Sequence, residues 1–237
     1  SNLFLEKPVS HNLNNINSLK KIILKKKITV CVGYQLRFHP GIELVKNVLE
    51  NNDLGTLISA DFHFGEFLPN MHKYEDYSLT HMAQKKQGGG AVLCLSHEVD
   101  LVRYLLGEPT IIKSKIQKKS RLKINVEDTL TATLKTKSNA KIRLNINFLD
   151  NPTKHFIKLK FKRGDLFWNY IDNYLEYANK ILKKKKKIHF SKFKRNDMFT
   201  KQAKNFLNSI YKKENLKTNI DEGIKTLRLC LKLKKWN

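Results

Sequence analysis

GGGAVLCLSHEVDLVRYLLG, residues 88–107, is the stretch on which the reading of the whole chain turns. Three glycines open it, and none carries a side chain that would keep a ligand from the backbone. Val92, Leu95, Val99, Val102, Leu105 and Leu106 then recur at steps of three and four, which predicts one helix with an apolar face. Gly107 stands where a helix C-terminal cap belongs. His97 and Asp100 are three residues apart and share a face of that helix. A glycine-rich helix start presents free N–H groups and a positive dipole end, which favour a polar or anionic ligand. The same residues also fit a blander arrangement, a loose turn followed by a helix with a structural histidine.

Upstream, residues 3–5 read as a short buried strand ending on Glu6, Lys7 and Pro8. Residues 18–27 read as a helix with Leu19, Ile22 and Ile23 inward, and ITVCVGY, residues 28–34, as a second buried strand. Strand, helix and strand at this spacing make a right-handed parallel unit, whose ligands sit beyond the carboxyl ends of the strands. Lys7 and residues 34–37 lie at such ends. Residues 39–52 are a helix with Pro40 in its first turn, and residues 56–67 a strand. The aromatic and polar segment 68–87 has no period, and a loop of that length in a compact domain is usually functional.

Downstream of Gly107 the pattern changes to strands in series, at 110–117, 128–135, 141–148, 155–161, 166–170 and 174–177. Several alternate apolar with polar residues, as a one-sided antiparallel sheet requires. Lys183 to Lys187 reads as a solvated hairpin connection, with an anion or nucleic-acid contact as the other reading. Helices at 197–214, capped by Asp197, and at 219–236 close the chain. The fold class is α/β (α+β), the edge of a Rossmann sheet followed by a large, mostly antiparallel open-sheet domain with flanking helices.

Composition narrows the function. The chain has 237 residues, 46 basic and 21 acidic, for a formal charge of +25. Such an excess raises nucleic acid, membrane surface or anionic substrate as partners. The lysines are spread along the whole chain, amid many Asn and Ile, and arginines are few. That is the pattern of a compositional bias and not of bidentate base or phosphate reading. Nucleic acid is therefore not expected as a partner. Cys31, Cys94 and Cys230 are widely separated and odd in number, which predicts neither a disulfide framework nor a metal site and suits a reducing cytoplasm. No run approaches the length of a membrane span, and no signal peptide is visible.

The ordered set EKP (6–8), GYQLRFHP (33–40), HKYEDY (72–77), GGG…SHEVD (88–100), KRNDMF (194–199) and NIDEGIKTL (219–227) resembles the Gfo/Idh/MocA oxidoreductases. The resemblance covers nearly the whole chain. It implies an NAD- or NADP-dependent enzyme acting on a sugar or sugar-derivative hydroxyl, in a branch associated with surface-polysaccharide sugars. Residues 1–38 are then the closing edge of a dinucleotide-binding domain, and residues 39–237 the substrate and oligomerisation domain. The chain begins on a strand without the G-x-G-x-x-G loop that holds pyrophosphate, so it is expected to bind the cofactor poorly by itself.

The resemblance assigns His97 as the acid/base and Lys7 as the ammonium that binds the reacting oxygen, with Glu6, Lys7 and Pro8 on the cofactor side. Cys94 stands where the family often has Asp. Asp100 is then a candidate to orient the His97 imidazole, or a plain helix carboxylate. Tyr34 and Arg37 either line the sugar pocket or pack the core. His72, Glu75, Asp76 and Tyr77 are candidate sugar contacts. The substrate implied is a sugar or sugar nucleotide, and the expected partner is a further copy of the chain, paired through the open sheet face. A non-catalytic remnant that binds sugars or only assembles is the alternative, motivated by the missing loop and by Cys94.

Overall fold

The computed structural model describes residues 1–235. Strand β1 (Leu3–Leu5) and strand β2 (Val30–Val32) pair in parallel, Leu3 opposite Val30, with helix α1 (Ile16–Lys25) between them. Within α1, Ile16 and Ile23 are buried, whereas Ile22, expected inward, is half exposed. One residue along a helix is a rotation of about 100°, so Ile22, though three residues after Leu19, falls beyond the edge of the face centred on Ile16, Leu19 and Ile23.

A four-residue turn, Gln35–Phe38, leads into helix α2 (Pro40–Asn51). His39 caps it, its Nδ1 accepting from the Gly41 N–H at 2.9 Å, and Pro40 occupies the first helical position. Strand β3 (Leu57–Gly65) follows. The aperiodic segment after it holds one helical turn, α3 (Leu68–Met71), and three short turns of tight helix.

The stretch expected as one helix is two, α4 (Ala91–Cys94) and α5 (His97–Leu106), with Leu95 and Ser96 between. The Glu98 N–H bonds back to the Leu95 carbonyl instead of continuing the ladder to Cys94. The Cys94 carbonyl is thereby left for another donor. The apolar stripe of the two pieces is continuous all the same, with Val92, Leu95, Val99 and Val102 all buried.

Strands β4 (Thr110–Gln117), β5 (Thr129–Lys135), β6 (Lys141–Asn147), β7 (Lys154–Phe161), β8 (Gly164–Asn169), β9 (Tyr174–Asn179) and β10 (Lys184–His189) join β3 in one sheet, in the order β10-β9-β8-β7-β3-β6-β5-β4. All pairs are antiparallel except β3 with β6. Strand β10 corrects the expectation that Lys183 to Lys187 is a connection. The turn is one step earlier and ends on Lys183 in the left-handed region, and the lysines pair along β9 as an edge strand. Lysine disfavours a central strand but suits an edge, where it stays in water.

Alternation sorts the sheet into two faces. Leu130, Leu134, Ile142, Ile146, Ile157 and Leu159 are buried on one, against α2, α4, α5 and helix α7 (Ile220–Lys235). The other face carries Asp61 paired with Arg143, His63 bonded to Asp150 at 2.6 Å, and Lys158 lying over Phe156 and Phe167. The apolar alternates thus turn inward under helices, and the uncovered face is charged and aromatic. Helix α6 (Arg195–Tyr211) begins two residues before the expected cap Asp197, whose carboxylate accepts the Lys194 N–H at 2.9 Å from within the first turn. Trp236, in the last helix expected from the sequence, lies outside the described residues.

Candidate active site

The site is built where the end of β1 meets the break between α4 and α5. Lys7 sits at that strand end, joined to Pro8 by a cis peptide bond, and its Nζ donates to the Cys94 carbonyl at 2.5 Å. Gly33, at the end of β2, makes room for the neighbouring Glu6, because a Cβ there would stand 3.1 Å from the Glu6 carboxylate. Burial pushes the Lys7 ammonium below its usual pKa, with Cys94 and Glu6 opposing that shift in part.

His97 is the first residue of α5 and only 8% exposed. Its Nδ1 is buried and has no hydrogen-bond partner among the described residues. Tyr34 packs edge-on against the imidazole, with ring centroids 5.7 Å apart, and the Tyr34 hydroxyl contacts Ser96 Oγ at 3.5 Å. Burial holds the His97 pKa well below the ordinary histidine value, and the positive charges of Lys7, His155 and Arg195 push it the same way. The imidazole is therefore neutral at neutral pH and able to take a proton.

A cleft of about 460 Å³ opens beside these groups, lined by Glu6, Lys7, Pro8, His72, Gly88 and Cys94 among others. Gly88 and Gly90 both hold positive φ there, and a Cβ on Gly89 would collide with the His81 and Met82 carbonyls. The three glycines are needed for this close fold of the backbone. The fold thus gathers four residues singled out from the sequence, Glu6, Lys7, Pro8 and His72, on one cleft, with His97 within electrostatic reach of Lys7.

Other candidates lie elsewhere. Arg37 donates through Nε and Nη2 to the two oxygens of Asp100, at 2.8 and 2.6 Å, and through Nη1 to the Lys217 carbonyl at 2.7 Å. Thr226 Oγ1 adds a fourth bond, to Asp100 at 3.0 Å. Both partners are buried, and this is a clasp between the turn before α2, α5 and α7. Asp100 has its oxygens committed to that clasp and does not orient His97. Tyr34 is buried behind His97 and absent from the cleft wall. Asp76 caps its own turn by accepting the Ser78 N–H at 2.9 Å, which holds its carboxyl below the usual range. Tyr77 receives the Lys123 N–H at 3.2 Å, and Glu75 stands 3.6 Å from His72. These three build the loop that presents His72.

The sequence did not point to Glu66, Glu98 or His155. Glu66 follows β3, and burial raises its pKa while His155, His72 and Arg195 pull the other way. Nothing in residue spacing signals that a strand residue such as His155 stacks beside a helix start. Nor did it show that the Cys94 carbonyl, not its thiol, is the working group. Burial keeps that thiol protonated, with a pKa pushed up to about 11. Among the described residues no cluster of three His, Cys, Asp or Glu could hold a metal ion, and no helix is long and apolar enough to cross a membrane.

The fold has counterparts among known proteins. The sequence profile of the GFO/IDH/MocA C-terminal domain matches residues 42–166. The chain is 28% identical over 108 residues to the uncharacterized oxidoreductase YrbE of Bacillus subtilis, which spans 44% of this chain and 28% of that relative. Levoglucosan dehydrogenase in complex with NADH superposes with a TM-score of 0.87 at 14% identity, covering 99% of this chain and 71% of the other. The WlbA dehydrogenase of Bordetella pertussis, in complex with NADH and UDP-GlcNAcA, gives 0.79 at 20% identity, covering 99% and 69%.

Proposed function

This chain belongs to the GFO/IDH/MocA family, and we propose that it handles the substrate and the proton for hydride transfer between NAD or NADP and a hydroxyl of a sugar or sugar nucleotide. Residues 1–38 serve as the strand edge of a dinucleotide-binding unit, and residues 39–237 as the substrate domain. One observation carries the reading: the Lys7–Cys94 clasp sets a buried amine on the cleft, with the neutral His97 imidazole near enough to feel its charge.

The residues present fit the nicotinamide end of the cofactor. The cleft wall sets Pro8 and Leu93, which are apolar, beside the polar Glu6 and Lys7, as a flat amide-bearing ring requires. Glu6, Lys7 and Pro8 would hold it, and when bound it takes or gives the hydride. The chain supplies the rest. His97 takes the hydroxyl proton as the carbon is oxidised and returns it in the reverse direction. Lys7 Nζ, anchored on Cys94, has donors left for the reacting oxygen and stabilises its developing charge. His72 lines the cleft where sugar hydroxyls need partners. The structural likeness to levoglucosan dehydrogenase and WlbA supports the fold on which this rests. The uncovered sheet face, with His63 stacked on Phe156, is the surface through which copies of the chain would pair.

The test is nicotinamide absorbance with a panel of sugars and sugar nucleotides, on the chain joined to a dinucleotide-binding segment that carries the G-x-G-x-x-G loop, and on its His97→Ala and Lys7→Met forms. General acid–base groups contribute roughly 10²- to 10⁴-fold, and each variant should lose about that much. Unchanged turnover in His97→Ala would refute the mechanism. Sugar binding with no hydride transfer under any condition would favour a non-catalytic binding role.

A further inference from the structure

Glu98 is the next residue after His97 and is fully buried in the first turn of α5. Neither of its carboxylate oxygens has a hydrogen bond from the described residues. The group nearest in charge is His155, on β7, whose Nε2 stands 2.9 Å from Glu98 Oε1, with both side chains essentially out of solvent. The ring is held in place by stacking on Phe64, centroids 4.2 Å apart, and by the edges of Trp168 and Tyr170. His155 Nε2 likewise has no hydrogen bond from the described residues, so the two groups are each other's nearest polar neighbour at a depth where an unpartnered carboxylate costs several kcal/mol. Two buried titratable groups thus meet at the residue adjoining the imidazole of the candidate site, and nothing in the hydride-transfer mechanism uses them.

We propose that Glu98 and His155 are a positioning pair for His97: the proton held on His155 Nε2 toward Glu98 pins β7 to the start of α5 and presents fixed positive charge to the neighbouring imidazole. The charged and titratable groups around the pair are few. His97 and the helix start lie on α5, Glu66 follows β3, His39 caps α2, Tyr170 follows β8, and Arg195 opens α6. Of these, His39, Glu66 and His97 all feel the His155 charge, and in His97 it adds to the effects of burial and Lys7. The proposal rests on His97 being the working acid/base, but its test needs neither substrate nor cofactor.

The test is imidazole NMR of the free chain, comparing it with Glu98→Gln and His155→Gln. His155→Gln removes the positive charge and leaves the Glu98 carboxylate, so the His97 titration midpoint should rise by about one pH unit, a tenfold gain in proton affinity, whereas Glu98→Gln removes both charges and should move it less. A midpoint that stays put or falls in His155→Gln, with only thermal stability reduced, would make the pair a mere structural clip. Should neither variant fold, the unsubstituted chain decides. A solvent-protected proton on His155 Nε2 is expected, and its absence overturns the proposal. Loss of hydride transfer in a panel assay with the NMR shifts intact would sink the enzymatic reading and leave the pair standing.

Discussion

Lys7 Nζ lies 2.5 Å from the carbonyl oxygen of Cys94, so the end of β1 is tied to the break between α4 and α5 by one hydrogen bond. The break frees that carbonyl, because the Glu98 N–H turns back to Leu95. A buried ammonium is expensive to hold, as its lowered pKa records. Lys7→Met is therefore expected to cost the fold about 1 kcal/mol or less while removing turnover about 10²-fold or more. Lys7→Arg should not rescue, since the larger planar guanidinium does not fit the buried place of a compact ammonium that must reach both the Cys94 carbonyl and the reacting oxygen. Parallel thermal melts and rate measurements decide it; a large drop in melting temperature with normal rates would make the clasp purely structural.

The clasp between Arg37 and Asp100 predicts the opposite balance. Breaking a buried, bidentate ion pair by removing one partner costs about 3–5 kcal/mol, and Glu222, 3.1 Å from Arg37 Nη2, offsets only part of that for the guanidinium left behind. Asp100→Ala should accordingly melt far earlier or accumulate unfolded. A well-folded Asp100→Ala with collapsed turnover would return Asp100 to the acid/base machinery.

What could be read in advance follows a physical line. The strands after Gly107 were legible because one face is buried and the period is two, as in Leu130, Ala132 and Leu134. The nearness of Lys7 to His97 was suggested only by the ordered motifs. The helix break was not, because the apolar stripe from Val92 to Val102 runs through it undisturbed and Lys7, which takes up the freed carbonyl, is 87 residues away. The role of Arg37 was hidden likewise: a cation after a strand end looks the same in sequence whether it meets a sugar or a carboxylate on another helix. Residues 184–187 misled because a lysine run has no alternation to show, yet an edge strand needs none.

Acid should unfold the chain through its buried histidines. Burial, with His155 and Lys201 nearby, lowers the His39 pKa to about 3, and that of His97 falls well below the ordinary value. In the unfolded chain both protonate near pH 6.5. Between those limits the unfolded state binds the extra protons, so stability is fully present above about pH 6.5 and is lost as pH falls toward the folded values. Each histidine contributes a slope of up to about 1.4 kcal/mol per pH unit. Denaturant titrations from pH 7 to 4.5 check this. His39→Asn keeps a capping side chain and should flatten the slope by one proton; an unchanged slope would contradict the assignment.

Gly90 is held at a φ of 106°, and a Cβ there would run into the Glu127 carboxylate. That carboxylate accepts weakly from the Val92 N–H at 3.4 Å and pairs with Lys234 at 3.0 Å. Gly90→Ala therefore combines a strained backbone with a displaced buried acid. The expected cost is about 1–3 kcal/mol, together with weaker sugar binding, because α4 carries Cys94 and so the anchor of Lys7. A variant with wild-type melting and binding would show that the glycine run is only a loose turn.

The lysine edge makes a last prediction, about association. Strand β10 leaves a row of backbone groups open on one side, and an edge of that kind recruits further strands unless charge forbids it. Lys185 is paired with Glu176 at 2.8 Å and Lys187 lies 4.0 Å above the Tyr174 ring, so both are tied to β9. Lys184 and Lys186 are exposed and carry no such tie among the described residues, which leaves them as the residues that repel an incoming strand. Lys184→Val with Lys186→Val removes two of 46 basic residues, too few to alter general solubility, yet it gives the edge a β-branched, uncharged face. Light scattering should then rise with protein concentration in the double variant and stay flat in the parent. If instead the double variant stays dispersed and loses salt-sensitive binding to nucleic acid that the parent shows, the lysines serve a polyanion and not the edge.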